Sequence, residues 1–307
     1  IRQARKGVRV LFLYDEIGSI KLATSYLDTM REAGIAVSGF KTTKGRSNRF
    51  QINFRNHRKL LVVDGRSGFI GGHNLGDEYL KYRDTHLRVD GPATQHIQFT
   101  FLKDWYWATR QIEALEPHIQ VVETADQAVA IVNTGPADTV YNCGILFMTL
   151  ITSARDRLWI TSPYFVPDDA MVIALQAAAQ RGVDVRIILP DKADQRIVEL
   201  ASFTYYANML NSGVRLYRYR NRFMHQKVIL VDDIVAGVGT VNLDNRSLYL
   251  NFEATALVAD DAFIQQTEAM LTKDLEDSVP VMCEHYDNKS LPFRVASQIA
   301  RLASPLL

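Results

Sequence analysis

One polar skeleton occurs twice in this chain at the same spacing, His-x-Lys-x4-Asp-x6-Gly-x2-Asn. The first copy is His57, Lys59, Asp64, Gly71 and Asn74; the second is His225, Lys227, Asp232, Gly239 and Asn242. Five fixed positions, each used about one time in twenty, match by chance roughly once per few million start points. Two matches in one chain are therefore a duplication, and any fold for the sequence has to place the two copies equivalently.

The spacing carries chemistry. KLLVVD and KVILVD are short apolar runs rich in β-branched residues, so each reads as a buried strand. Alternate residues of a strand share a face, so His57 projects with Lys59 and His225 with Lys227. The glycines Gly71, Gly72 and Gly239 mark backbone that comes close to something, a ligand or a neighbouring stretch of chain. Asn74 and Asn242 bring amide donors to the same place. Imidazole, ammonium and amide converging on one point suit a phosphate-like anion.

The chain has 307 residues and a net charge of +1, so it is no strongly basic nucleic-acid binder as a whole. Its two cysteines, Cys143 and Cys283, lie far apart without a CxxC, which excludes a disulfide framework and a zinc pattern and leaves two buried thiols. No apolar run reaches the 18 residues of a spanning helix, and the longest, Gly144 to Ile151, reads as a core helix.

Repetition extends beyond the skeleton. The opening IRQARKGVRVLFLYD reads as a helix end stopped by Gly7 and a strand from Val8 to Tyr14. Its later counterpart is a helix from about Asp168, stopped by Gly182, then DVRIILP. That counterpart is preceded by a strand, LWITSPYF, which the first half lacks, so the chain is expected to begin inside the first repeat. A helix Ile20–Ala33 and strand Ile35–Phe40 correspond to a helix Gln195–Asn211 and strand Val214–Tyr219. Each copy carries a basic, acid-free segment before its motif: residues 41–59 with seven Lys or Arg, and residues 215–227. Such a recurrence beside an anion site favours an anionic substrate or surface over a merely solvated loop. The stretch around Trp105 and Trp107 reads as a core helix. Residues 113–120, with Pro117, are the expected join, giving repeats 1–117 and 118–307. In the tail, apolar residues at helical spacing stand opposite Arg294 and Arg301, a pattern that suits a membrane surface or packing on the domain.

With both motifs in view, the chain resembles the phospholipase D superfamily with its paired HKD motifs, and within it the bacterial cardiolipin synthases. The resemblance rests on NHRKLLVVDG, IGGHNLGDEY, RDTHLRVDG, ITSPYFVPDDAMVIALQAAAQRGVDVRIILP, GTVNLDNRSLYLNFEA and RLASPLL. It implies an α/β fold of two similar α/β/α sandwich halves with mixed sheets, related by a pseudo-twofold axis and sharing one active site at their interface. It further implies ping-pong phosphatidyl transfer between two phosphatidylglycerol molecules, giving cardiolipin and glycerol, with no metal or other cofactor. The expected partners are an anionic phospholipid and a bacterial membrane surface, met peripherally because the spanning helices of relatives have no counterpart here; nucleic acid is not expected.

By that analogy His57 is the nucleophile that forms a phosphohistidine and His225 the general acid, then base; the symmetry of the sequence permits the reverse. Lys59, Lys227, Asn74 and Asn242 would hold the phosphoryl oxygens, with Thr240 and the Gly72 backbone as further donors. Asp84 lies 27 positions after His57 and Glu253 lies 28 after His225; these acids are expected to orient the histidines. Asp64 and Asp232 complete the HKD set. They sit seven residues from their histidines, a strand length of roughly 20 Å, and so read as structural. His73, His86, His96, His118 and His285 form no metal-ligand pattern. Tyr164 and Phe165 follow a strand and read as core aromatics or site lining. Other readings stay open: a phospholipase D hydrolase, a phosphatidylserine synthase, a nuclease of the superfamily or, from another class, an idle lipid-binding module.

Overall fold

In a computed structural model, residues 1–40, 54–113, 126–282 and 289–307 are described. Most of the first basic segment, residues 114–120 of the expected join, Cys283, His118 and His285 lie outside them.

The first part of the chain runs β1 (Leu11–Asp15), α1 (Thr24–Glu32), β2 (Ala36–Phe40), β3 (Arg55–Asn56), β4 (Leu60–Val63), β5 (Ser67–Gly71), β6 (His86–Asp90) and α2 (Thr94–Thr109). The second runs β7 (Ala128–Thr134), α3 (Asn142–Ser153), β8 (Arg157–Thr161), β9 (Phe165–Val166), α4 (Asp169–Gln180), β10 (Asp184–Pro190), α5 (Arg196–Asn211), β11 (Arg215–Tyr219), β12 (Val228–Val231), β13 (Val235–Gly239), β14 (Leu243–Asp244), α6 (Asn245–Tyr249), β15 (Asn251–Ala259), α7 (Asp261–Glu276), β16 (Ser278–Pro280) and α8 (Leu291–Arg301).

The main sheet follows the order β16-β11-β10-β8-β12-β13-β15-β3, with β7 also on β15. It is mixed: β8, β10 and β11 are parallel, whereas β12, β13 and β15 are antiparallel neighbours. Its centre is β12, and all four residues of VILV are buried. Strand alternation divides them. Ile229 and Val231 join a core with α3, α4 and α5, while Val228 and Leu230 join one with Ile264 and Leu271 of α7 on the other face. Helices on both faces explain why this strand is apolar throughout.

The first half repeats these pieces in smaller sheets, β1-β2 parallel and β4-β5-β6 antiparallel. In the main sheet β8 joins β10–β11 to β12–β13–β15. Among the described residues no strand joins β1–β2 to β4–β5–β6 in that way, and Leu61 and Val63 of β4 are exposed where their counterparts in β12 are buried. The halves meet through a shared core in which Ile70, Leu87 and Val89 cluster with Ala254 and Ala256 of β15.

Local signals set the element ends. Asp168, Asp244 and Asp260 cap α4, α6 and α7 by accepting the backbone N–H three residues on. Gly34 and Gly182 end α1 and α4 at φ of 86° and 92°, a left-handed turn that a side chain would strain. Two expectations need correction. The first helix starts at Thr24, not Ile20, because residues 15–22 are tied into turns: Asp15 Oδ1 accepts the Gly18 N–H at 2.5 Å, and Ile20 is left exposed. LWITSPYF is not one strand. It breaks at Ser162, whose hydroxyl donates to the Tyr164 carbonyl at 2.7 Å and accepts the Leu243 N–H at 3.0 Å.

Candidate active site

The duplicated motifs meet through a crossed exchange of backbone and side-chain bonds. Strand β3 leaves its own half and pairs in parallel with β15. The His57 N–H then donates to the Phe252 carbonyl at 3.0 Å. This sets His57 Nδ1 against the Glu253 carboxylate, 2.9 and 3.0 Å from its two oxygens. The second half mirrors the arrangement. Arg83 bridges Met224 in parallel, and the His225 N–H donates to the Arg83 carbonyl at 2.8 Å. His225 Nδ1 then lies 2.6 Å from Asp84 Oδ2. In each case the residue just before the acid accepts the histidine's backbone N–H, and the acid itself takes the ring. Each expected acid therefore serves the histidine of the opposite repeat.

The lysines obey the same symmetry. Lys59 Nζ donates to the His57 carbonyl at 2.7 Å and Lys227 Nζ to the His225 carbonyl at 2.5 Å. Carboxylates of both halves favour the charged form of each lysine, Glu253 and Asp84 at Lys59 and Asp84 and Glu253 at Lys227, while Lys59 opposes the charge on Lys227.

Burial dominates the protonation of this cluster. It pulls Lys59 down to about 8 and Lys227 down to about 7. Burial and then the Lys227 ammonium push His225 down to about 3, and burial lowers His57 despite Glu253. For the acids, burial alone would raise Glu253, but His57, Lys59 and Thr240 outweigh it. In the same way His225, Lys227 and the Thr85 N–H outweigh the burial of Asp84. Both imidazoles are thus kept neutral near pH 7, each with Nδ1 on a carboxylate and the Nε2 edge turned away from it.

The motif glycines answer to neighbouring chain rather than to a ligand. A Cβ on Gly71 would lie 2.4 Å from the Thr85 carbonyl, one on Gly239 2.6 Å from the Ala254 carbonyl, and one on Gly72 2.2 Å from Asp84 Oδ1. Two expected donors are accordingly committed elsewhere. The Gly72 N–H donates to the Thr85 carbonyl at 3.0 Å, and the Thr240 hydroxyl donates to Glu253 Oε2. Thr240 thus holds Glu253, and Gly72 leaves the room that Asp84 occupies, with both donors already spent within the chain. Asn242 is buried, its amide is bonded to Asp244, and its oxygen has no partner; Asn74 is half-buried.

The motif aspartates stand at strand corners in left-handed backbone, with φ of 53° at Asp64 and 48° at Asp232. The Asp232 carboxylate accepts the backbone N–H groups of Arg155, Asp156 and Arg157 at 2.9, 2.9 and 2.8 Å, closing the α3–β8 corner. Asp64 is exposed. Phe165 is core, and Tyr164 donates its hydroxyl to Asp194 at 2.9 Å.

Several site residues have no motif to announce them. Arg58, between His57 and Lys59, donates to the Glu253 carbonyl at 3.0 Å, the Thr134 carbonyl at 3.0 Å and Asp104 at 2.5 Å; Asp104 also accepts from Asn56 at 2.9 Å. This network holds the His57 segment from both sides. Tyr82 and Phe223 flank the His225 ring, with centroids at 5.6 and 6.0 Å. They open onto a surface cavity of about 520 Å³ shared with Leu80, Lys81, Asn221 and Arg222. The alternation of Phe223 with the histidine in RFMH is the sole sequence hint of that wall. Among the described residues no group of three or more His, Cys, Asp or Glu is placed to hold a metal ion.

Residues 147–275 match a family profile described as "Cardiolipin synthase, PLD-like domain". Across its whole length the chain is 47% identical to a cardiolipin synthase A of Pseudomonas putida (strain W619) and 44% identical to one of Pseudomonas aeruginosa (strain LESB58). It spans 65% and 64% of the length of those relatives. Among solved structures, the phosphatidylserine synthase of Haemophilus influenzae Rd KW20 shares the fold, with a TM-score of 0.67 at 14% identity over 92% of this chain and 77% of that one.

Proposed function

We propose that this chain, which belongs to the phospholipase D superfamily and is like the bacterial cardiolipin synthases, transfers a phosphatidyl group between two phosphatidylglycerol molecules. The observation that carries the reading is the crossed pair of carboxylate-held histidines, each with a lysine two residues on. A phosphodiester exchange needs a nucleophile, a proton donor for the leaving alkoxide and positive charge around the phosphoryl oxygens. The two halves, 1–117 and 118–307, each contribute one histidine and one lysine to that list.

The donor phosphate brings a negative charge beside His225 and offsets the burial that keeps this ring neutral, so binding favours uptake of one proton there. His57 Nε2 attacks phosphorus while Glu253 holds the Nδ1 proton and stabilises the charge that forms on the ring. The glycerol oxygen leaves with the proton of His225, and a phosphohistidine remains on His57. The free hydroxyl of a second phosphatidylglycerol then gives its proton to His225 and attacks phosphorus, releasing His57 and forming cardiolipin. Lys59, Lys227, Asn74 and Asn242 carry the phosphoryl oxygens through both steps. The protein works at the surface of a bacterial membrane, where both substrates reside; no helix among the described residues is long and apolar enough to cross one.

Labelled phosphatidylglycerol in vesicles, given without added metal, tests the reading. Cardiolipin and free glycerol, both lost in His57→Ala and in His225→Ala, are expected. Phosphatidic acid as sole product would make water the acceptor and the protein a hydrolase. Intact lipid with cleavage of single-stranded DNA would place it with the nucleases.

A further inference from the structure

Helix α8 is docked by one face and leaves an apolar face bare. Ser297 and Ala300 are buried against the domain. Phe293 meets Phe203 of α5 edge-on with centroids 5.2 Å apart, and Arg301 lies over Tyr205 at 5.0 Å. At 100° per residue, Leu291, Val295, Ile299 and Leu302 fall within an arc of about 80° on the opposite side. They are 73%, 50%, 63% and 82% exposed, and Leu306 extends the bare surface towards the C-terminus. A helix that spends serine and alanine on its own domain and aliphatic side chains on solvent has its docking faces the reverse of what burial favours.

The charges say what covers that face. Residues 289–307 contain Lys289, Arg294 and Arg301 and no acidic residue. Arg294 flanks the stripe at 100° per residue, whereas Lys289 lies over Phe203 and Phe293 and Arg301 over Tyr205 on the docked side. An anionic lipid surface takes both features at once, with aliphatic side chains in the acyl boundary and cations at the phosphates. The end of the tail is tied back to the domain. The Asn245 side chain donates to the Ser304 carbonyl at 2.9 Å, and the Arg246 N–H donates to the Leu307 carbonyl at 2.8 Å. Both tie the tail to α6, three residues beyond Asn242.

We propose that α8 is an interfacial helix that seats the protein on an anionic phospholipid bilayer through Leu291, Val295, Ile299 and Leu302. This deepens the phosphatidyl-transfer reading and rests on it for the identity of the lipid, so binding and turnover are read separately. Wild-type chain and the variant Leu291→Gln/Val295→Ser/Ile299→Gln/Leu302→Gln are floated with vesicles of phosphatidylcholine alone or with one third phosphatidylglycerol. The wild type is expected to prefer the anionic vesicles. The variant, which alters exposed side chains only, should lose at least about tenfold in vesicle affinity while turning over a soluble short-chain phosphodiester at the wild-type rate. Lys289→Gln/Arg294→Gln should lower the preference for anionic vesicles and its sensitivity to salt. Wild-type affinity in the four-site variant would overturn the proposal, as would a dimer of the wild type that this variant abolishes. Absence of any lipid turnover would strike the phosphatidyl-transfer reading and leave a helix-dependent vesicle binding intact.

Discussion

Replacing Glu253 by Gln is the substitution whose outcome the site fixes most closely. The carboxylate is fully buried and accepts from His57 Nδ1, from the Thr240 hydroxyl and from Asn251 Nδ2 at 3.1 Å. Three donors converge on it, so a carboxamide at the same place has to turn its NH2 towards one of them. The Thr240 hydroxyl and the Asn251 amide keep their donors, whereas a neutral imidazole can exchange tautomers. His57 then accepts at Nδ1 and carries its proton on Nε2, where the lone pair needed for attack on phosphorus had been. Loss of one charge-assisted hydrogen bond alone is worth about 1.5–3 kcal/mol, a factor of roughly 10–150 in rate. The wrong tautomer costs more: the equivalent change in a serine-protease triad lowers kcat about 10⁴-fold, or about 5.5 kcal/mol. Glu253→Gln is therefore expected to lower kcat by about 10³–10⁴ with the thermal midpoint close to wild type, read as phosphatidyl transfer in vesicles and as the rate of phosphoenzyme formation in quenched flow. A loss below about 100-fold would refute the tautomer argument and leave Glu253 as a neighbouring charge only.

Asp84→Asn acts on the other histidine and is expected to slow transfer from phosphatidylglycerol, but far less from a donor with a nitrophenolate leaving group, which needs no proton; equal losses with both donors would remove His225 from the acid's role. Gly72→Ala pushes a methyl into Asp84 Oδ1 and should resemble Asp84→Asn in its donor dependence. Asp232→Ala strands three backbone N–H groups and should cost about 3 kcal/mol in urea unfolding, with kcat of the folded fraction unchanged. Lys227 and Lys59, held at about 7 and about 8, lose their charge as pH rises, so the KM for phosphatidylglycerol should climb between pH 7 and 9. Their folded values lie below the unfolded 10.5, so the unfolded chain binds more protons in that window and the thermal midpoint should rise with pH while affinity falls; parallel trends would contradict the assignment.

The histidines, lysines and both orienting acids were legible because a duplicated spacing leaves a mark that does not depend on packing. The crossing was not. Asp84 and Glu253 each follow a motif of their own repeat at nearly the same distance, and only the parallel contacts of β3 with β15 and of Arg83 with Met224 send each acid to the other half. Thr240 and Gly72 lay beside the expected phosphate site in sequence, but their bonding partners, Glu253 in β15 and Thr85 just before β6, come from segments that the sequence does not order in space. The same limit hid Arg58, whose three acceptors lie on β15, β7 and α2. Apolar strands were read well where both faces are covered, as in β12. Ile20 misled because an apolar residue at a helical spacing says nothing of whether a core lies opposite it.

The division of labour between the two histidines is the central claim, and a covalent trap tests it most directly. His225→Ala is mixed with a phosphodiester donor bearing a nitrophenolate leaving group, quenched, and mapped by mass spectrometry at neutral pH to keep the N–P bond. The account predicts a phosphoryl adduct on His57, formed in step with nitrophenolate release and absent in His57→Ala. An adduct on His225 in the His57→Ala protein, with none on His57 in His225→Ala, would reverse the assignment, and turnover of wild type with no adduct on either histidine would contradict the phosphohistidine itself.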